Sequence, residues 1–222
     1  MMAWVVLAHD GEDEGAPARR AAAMEAHVAC ITAEAAAGRL ALGLPLIGPD
    51  RILGSLMVVA GEERSAADAY LAKEPFALGG VAGGVWRRVE VHPFRVAPLP
   101  YRPWPSPDTP PPTSRTHTVI LAWDGRDADA PARRQAARDA HFARVRPFAA
   151  DGTLAFGGAL LDREGGMVGS VAVTRHDTDE AARAWMADDP YVTGGVWRDV
   201  TLFGTRIRPL AYAPLPGMAG NG

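Results

Sequence analysis

Two histidines in the chain are each followed, about fifty residues later, by an acidic residue that directly precedes a proline. His141 is matched in this way with Asp189, and His27 with Glu74. A histidine beside a carboxylate is the usual unit of general acid–base catalysis, because the carboxylate fixes the tautomer of the imidazole and raises its basicity. The pattern predicts two proton-transfer sites. Asp189 is the better partner, because the extra methylene of Glu74 would displace its carboxylate by about 1 Å, a shift that can cost about 100-fold in rate.

Further side chains accompany the later pair. Arg134 precedes His141 by two helical turns on the same face, where its guanidinium would hold an anionic group of a substrate. Ser170 would donate a hydrogen bond to the ligand, and Trp197 would stack on a ring of the ligand. The earlier pair has its own companions and forms a second site that departs from this pattern, made of His27, Glu74, Arg20 and Ser55.

Each of these side chains also has a structural interpretation. A helix histidine is often half-buried and inert, and Asp189 can form an Asx-turn onto the backbone of residues 191–192. A carboxylate at a helix C-terminus opposes the macrodipole by about 0.3–1 kcal/mol, so something must compensate for Asp189. The glycine before Ser170 indicates a bulge or a close backbone approach. A tryptophan in a strand, such as Trp197, is commonly a core residue. The sequence leaves these alternatives open.

A tandem duplication places the two sets of residues. When the sequence is aligned with itself at a nearly constant offset, Ala16–Arg20 matches Ala130–Arg134. After small changes of register, Gly83–Arg87 matches Gly194–Arg198. Matches that keep their order over nearly the whole chain indicate two copies of one domain. We predict a first copy at residues 1–97, a proline-rich, semi-rigid linker at 98–116 and a second copy at 117–216.

Each copy has the pattern of a β-α-β-β-α-β unit. A short apolar strand ends in Asp-Gly, and a proline then opens a helix that ends at Gly38 or Gly152. Ser65 and Asp177-Thr178 are the predicted N-cap positions of the second helix in the two copies, and this helix should stop before the following proline. The order predicts an α+β fold with two ferredoxin-like domains, each a four-stranded antiparallel sheet with both helices on one face. The bare faces of the sheets would pack against each other, which makes an intramolecular pseudo-dimer.

Composition excludes several classes of function. A net charge of −3 and the lack of a Lys/Arg run give no footprint for nucleic acid. No apolar stretch approaches the roughly 20 residues that span a membrane. Cys30 is the single cysteine, so no cysteine-based metal site or intrachain disulfide is expected. The glycine-rich segment at residues 79–84 precedes a strand and is a poor phosphate cradle. We expect a cytoplasmic protein without metal or organic cofactor.

The chain resembles the YCII-related (YciI-like) domain, of the dimeric α+β barrel group. The features that carry this resemblance are the aspartate ending the first strand, the helix with His141, Gly157, Gly169-Ser170 and Asp188–Tyr191. The resemblance implies a ferredoxin-like fold and a pocket where the histidine meets the aspartate of Asp-Pro. It also implies a small-molecule lyase, since members with known activity include one that dehydrochlorinates a chlorinated hydroquinone. Glu74 and the extra residues 79–82 depart from the family pattern, which weakens the case for the first site.

The expected function is that of a cofactor-independent lyase or isomerase whose general acid–base pair is His141 and Asp189. The alternative is a non-catalytic module on the same fold that binds a small molecule or a partner protein. The expected partner is a small-molecule substrate, with no nucleic acid and no membrane. The internal pseudo-dimer is also compatible with further homodimerisation.

Overall fold

The computed structural model describes residues 1–79 and 83–218. The first half contains β1 (Met2–Asp10), α1 (Ala16–Ala36), β2 (Leu40–Ile47), β3 (Ile52–Ala60), α2 (Arg64–Leu71) and β4 (Trp86–Val96). The second half contains β5 (His117–Asp124), α3 (Ala130–Asp151), β6 (Leu154–Leu161), β7 (Met167–Thr174), α4 (Asp179–Met186), α5 (Pro190–Thr193) and β8 (Trp197–Thr205). The predicted β-α-β-β-α-β order is confirmed in both copies. Residues 80–82 of the glycine-rich segment lie outside the described residues.

The two sheets form one closed barrel. Within each copy the strands are antiparallel, in the orders β4-β1-β3-β2 and β8-β5-β7-β6. The edges of the two sheets then join, since β4 pairs with β6 over residues 94–96 and 158–160, and Ile47 of β2 pairs with Gly204 of β8. The predicted intramolecular pseudo-dimer is confirmed. Closure also pairs the sheet edges, which would otherwise present unpaired backbone groups.

The core is shared between the copies. Phe94 of β4 and Phe156 of β6 are fully buried, and their rings stack at 5.7 Å between centroids. The segments after β4 and β8 each cross to the opposite copy. The Tyr101 hydroxyl donates to the carbonyl of Gly157 at 3.0 Å, and the Tyr212 hydroxyl accepts from the backbone N–H of Gly43 at 3.2 Å. The beginning of the predicted linker is therefore packed against the second copy.

The long helices end as their glycines indicate. Gly38 and Gly152 have φ angles of 69° and 83°, a left-handed conformation that glycine adopts without steric cost. Of the predicted Asp177-Thr178, it is Thr178 that caps α4, because its side chain accepts from the backbone N–H of Ala181. The prediction for Ser65 is wrong. The extended residue before α2 is Glu63, so Ser65 lies inside the first turn.

The region before β8 differs from the prediction. Helix α4 already ends at Met186, and Pro190 begins the short helix α5 instead of only stopping α4. A proline suits this first helical position because its fixed φ is helical and its missing N–H would have no partner there.

No helix of the described residues is long and apolar enough to span a membrane.

Candidate active site

His141 and Asp189 meet at the wall of a cavity. The Nδ1 atom of His141 lies 2.8 Å from Oδ1 of Asp189, which is completely buried, whereas His141 keeps 15% of its side chain exposed. A carboxylate can only accept, so Nδ1 carries the hydrogen and Nε2 keeps its lone pair in the neutral ring. Nε2 has no hydrogen-bond partner within residues 1–79 and 83–218. In this tautomer Nε2 is the ring atom that can accept a proton.

The short helix α5 holds Asp189 in place. Asp189 is its N-cap, and Oδ1 also accepts the backbone N–H of Tyr191 at 2.9 Å. The pairing with His141 and the Asx-turn thus occur together. The expectation that a helix C-terminus disfavours this carboxylate is wrong, because Asp189 sits at an N-terminus, where negative charge is favoured. The Tyr191 ring stacks on the His141 ring, with centroids 3.9 Å apart and planes at 11°.

The second carboxylate oxygen is satisfied differently in the two copies. In the second copy, Nη1 of Arg144 lies 3.4 Å from Oδ2 of Asp189. The same guanidinium donates to the backbone carbonyl of Trp185 and lies over the indole ring of Trp185. In the first copy the Tyr70 hydroxyl donates to Oε2 of Glu74 at 2.6 Å. Burial raises the pKa of Tyr70 well above its ordinary value, which keeps the hydroxyl protonated as a donor. A buried acceptor must be paired, and the copies meet this need with different side chains.

Arg134 is paired within the protein. Its Nη1 lies 2.8 Å from both carboxylate oxygens of Asp124, at the end of β5, and both side chains are buried. Burial raises the pKa of Asp124, and Arg134 opposes that rise. The guanidinium also lies 4.7 Å from the centre of the Tyr191 ring. Because Asp124 already balances the charge, a substrate anion would meet a neutral pair rather than a free cation.

Ser170 and Trp197 are joined to Arg134. Nη2 of Arg134 donates to the Ser170 hydroxyl oxygen at 2.9 Å, and Nε1 of Trp197 donates to the same oxygen at 3.2 Å. The preceding Gly169 makes a close backbone approach, since a Cβ there would lie 2.5 Å from the carbonyl oxygen of Ala122. The glycine is thus explained by packing, while the serine beside it lines the cavity.

The cavity belongs to both copies. Its volume is about 270 Å³, slightly below the usual range of small-molecule pockets, about 300–1,000 Å³. Residues 95–97 of the first copy, with residues 98–99 of the linker, close one side of it. Most of the wall is apolar and includes Val96, Leu99, Phe142, Val145, Met167 and Val171. A small ligand with a largely apolar body fits this lining, and the second-copy site is incomplete without the first copy.

The first copy repeats the contacts of the pair. Nδ1 of His27 lies 2.7 Å from Oε1 of Glu74, and the Phe76 ring stacks on the imidazole at 3.9 Å. The displacement expected from the longer glutamate does not appear in this distance. Arg20 also repeats the arrangement of Arg134, with Nη1 bonded to Asp10 and Nη2 bonded to Ser55.

The two cavities differ in size. The cavity beside His27 has a volume of only about 80 Å³. Larger side chains fill it, since β2 and β3 carry Leu44, Pro45 and Met57 where β6 and β7 carry Gly158, Ala159 and Ala172. Pro111 and Pro112 of the linker also line the first cavity. The first cavity is thus narrower, while its acidic residue keeps the contact with the histidine.

Sequence reasoning did not select Asp124, Tyr191 or Arg144 as site residues. The repeat contains a signal for two of them, because an aspartate ends the first strand of both copies and an aromatic residue follows the proline in both. Arg144 has no such signal, since the equivalent residue of the first copy is Cys30. Within residues 1–79 and 83–218, no group of three or more His, Cys, Asp or Glu side chains could hold a metal ion.

An eight-stranded barrel made of two ferredoxin-like halves is a dimeric α+β barrel, here within one chain. A mutant chlorite dismutase from Candidatus Nitrospira defluvii is similar in structure, with 13% identity, a TM-score of 0.54 and coverage of 92% of this chain and 90% of that one. An anthrone oxidase-like protein has 14% identity, a TM-score of 0.50 and coverage of 96% of both chains. At such identities the similarity shows the fold alone.

The family follows from the sequence. The model of the YCII-related domain matches residues 2–95 and again residues 117–206, which together make up most of the chain. The chain therefore belongs to the YCII-related family and carries two copies of its domain. It is also similar to Protein YciI of Escherichia coli O6:H1, with 34% identity over 90 residues that cover 38% of this chain and 90% of that protein.

Proposed function

We propose that the second-copy site is the active site of a cofactor-independent lyase or isomerase that acts on a small molecule. The observation that carries this proposal is the position of His141. A buried carboxylate holds one side of its ring, and the ring lines a largely apolar cavity. General acid–base catalysis by a side chain in such a position contributes about 10²–10⁴-fold to a rate.

In the proposed reaction, Nε2 of His141 takes a proton from the substrate. The imidazolium that forms is stabilised by Asp189, which Arg144 and the α5 backbone hold in place. In an isomerase the proton returns to a different atom of the substrate. In a lyase the electron pair left behind expels a leaving group, which the imidazolium can protonate. Ser170 and Trp197 form part of the substrate-binding wall, and Arg134 acts by positioning Ser170.

The same proposal assigns a lesser role to the first site. His27 and Glu74 have the required contact, but the cavity beside them has less than a third of the volume of the second. We propose domain boundaries at residues 1–97 and 117–216, with the linker at 98–116. Supporting this division, the family model ends its first match at residue 95 and begins its second at 117.

A ligand screen tests the proposal. The full chain would be screened by thermal shift against small aromatic acids, lactones and hydroquinones, with His141→Gln alongside. A ligand at about 100 times its dissociation constant adds about 2.7 kcal/mol of stability, which a thermal shift detects. For a hit that is turned over, Asp189→Asn should lower turnover strongly and leave ligand affinity nearly intact. Turnover unchanged in both variants would refute catalysis by the pair, and hits without turnover would favour a binding module.

A further inference from the structure

The hydroxyl of Ser170 has an unusual hydrogen-bonding state. A serine hydroxyl has two lone pairs and one hydrogen. Arg134 and Trp197 both donate to its oxygen, at 2.9 and 3.2 Å, so both lone pairs are in use. Neither donor can reverse its role, because guanidinium and indole N–H groups only donate. Ser170 can therefore act toward a further group only as a donor.

Nothing in the described part of the chain accepts the Ser170 hydrogen, since the hydroxyl oxygen occurs in these contacts only as an acceptor. Ser170 is buried, yet it lines the cavity. Leaving a buried donor unpaired costs about 1–3 kcal/mol. A ligand oxygen in the cavity would supply the missing acceptor.

The surroundings make this hydroxyl a strong donor. It accepts from a guanidinium, and that guanidinium is itself fixed by two contacts with Asp124. Hydrogen bonds in such chains polarise one another and strengthen the terminal donor. A donor that is fixed before the reaction favours the charge that develops in the transition state, because little reorganisation is needed.

We propose that the Ser170 hydroxyl donates to a substrate oxygen that becomes negatively charged, and that the substrate is a small carbonyl compound or its enol. This inference rests on the proposed function of His141. Nε2 of His141 takes a proton from the carbon next to the carbonyl, and the C–H electron pair forms a carbon–carbon double bond. The carbonyl π pair moves onto oxygen, which Ser170 then stabilises as an enolate. Return of the proton to the oxygen, or to the γ-carbon of a conjugated enolate, completes an isomerisation. In an elimination the oxygen pair re-forms the carbonyl, and the carbon–carbon π pair forms a new double bond to the β-carbon as the β-substituent leaves with its bonding pair.

The first copy provides an internal contrast. Among the described residues, Ser55 accepts only from Nη2 of Arg20, at 3.1 Å. The equivalent indole, Trp86, keeps its buried Nε1 without a partner among the described residues. The Ser55 oxygen retains a lone pair, so its hydroxyl is not restricted to donation. The dedicated donor is found in the copy that has the larger cavity, where a substrate fits.

A dye that mimics an enolate tests the inference without the natural substrate. 4-Nitrophenol has a ring with an ionisable oxygen, and its visible absorbance separates phenolate from phenol. We expect the wild-type full chain to bind the phenolate and to lower the pKa of the bound dye. A hydrogen bond to a charged group is worth about 10- to 100-fold in affinity, so Ser170→Ala should lose that much phenolate affinity. Ser170→Thr should restore it in part.

Matched ligands and variants separate the outcomes. Nitrobenzene lacks the ionisable hydroxyl oxygen of 4-nitrophenol, and the affinity of the protein for it should be the same in wild type and Ser170→Ala. Phenolate affinity that is unchanged in Ser170→Ala would overturn the inference, even if His141 variants uphold the proposed function. Retention of the dye shift in His141→Gln would attribute it to Ser170, and its complete loss there would attribute it to the imidazole and overturn the inference. A wild-type protein that binds neither form of the dye would overturn the substrate class.

Discussion

The buried pair of Arg134 and Asp124 allows a sharp test of how the site is held together. Substitution Asp124→Asn keeps the shape of the side chain and removes its charge, which leaves the Arg134 guanidinium buried without a counter-charge. Breaking a buried pair by removing one partner costs about 3–5 kcal/mol. The amide can still accept a hydrogen bond, so we expect the lower end, about 3 kcal/mol. For a protein of this size that lowers the melting temperature by about 6–12 °C.

The neighbouring arginine supplies a matched control. Arg133 pairs with Asp127 at 2.6 Å, a contact as short as those of Arg134, but Asp127 is exposed to solvent. Exposed pairs contribute little to stability, because solvent screens them and ordering the side chains costs entropy. Urea unfolding followed by circular dichroism should therefore show a much smaller change for Asp127→Asn than for Asp124→Asn.

A double variant tests the physical cause. Replacing a buried ion pair by apolar residues of similar volume is often neutral or stabilising. The combination of Asp124→Leu and Arg134→Met should thus recover most of the stability that Asp124→Asn loses. Equal stability of Asp124→Asn and Asp127→Asn would refute the reasoning, because it would mean that Arg134 needs no buried partner.

Three further outcomes are expected. Burial lowers the pKa of His117 from 6.5 to about 4, so its contribution to stability is full above pH 6.5 and is lost as the pH falls toward 4. Wild type should therefore lose unfolding free energy between about pH 7 and about pH 4.5, as measured by urea unfolding. His117→Asn should reduce that loss by up to about 3 kcal/mol. Ala172→Met places in the second copy the residue that Met57 provides in the first. It should lower the affinity for 4-nitrophenol at least tenfold, as measured by titration, and change the free energy of unfolding by about 1 kcal/mol or less. Gly169→Ala should destabilise the chain in the same unfolding assay, because its Cβ would meet the Ala122 carbonyl oxygen at 2.5 Å. A free energy of unfolding of Gly169→Ala equal to that of wild type would contradict this steric argument.

Much of the architecture could be predicted because both copies of the domain carry the same sequence signals. Periodicity, prolines and glycines recur at matching places, and two bare sheet faces within one chain predict a pseudo-dimer. The contact between His141 and Asp189 was also predictable, since the same pair recurs as His27 and Glu74. These signals are local or repeated, and such signals can be recognised in a single sequence.

Other features depend on contacts that no local pattern records. Helix α5 has only four residues, so Asp189 looked like the end of a helix rather than the start of one. The pairing of Arg134 with Asp124 is set by how α3 packs on β5, and the spacing of the two residues does not reveal it. The narrowing of the first cavity follows from Leu44, Pro45 and Met57, whose effect appears only when β2 and β3 are placed beside α1.

Deuterium incorporation tests the central claim most directly, namely that His141 moves a proton in the second-copy cavity. The full chain would be incubated in D₂O with small cyclic ketones, and exchange at the carbon beside the carbonyl followed by NMR. The control is His9→Gln, a histidine that lines neither cavity. We predict exchange by wild type and by His9→Gln, and a loss of about 100-fold or more in His141→Gln. Equal exchange by His141→Gln and wild type, or no exchange above the solvent rate in any of them, would contradict the account.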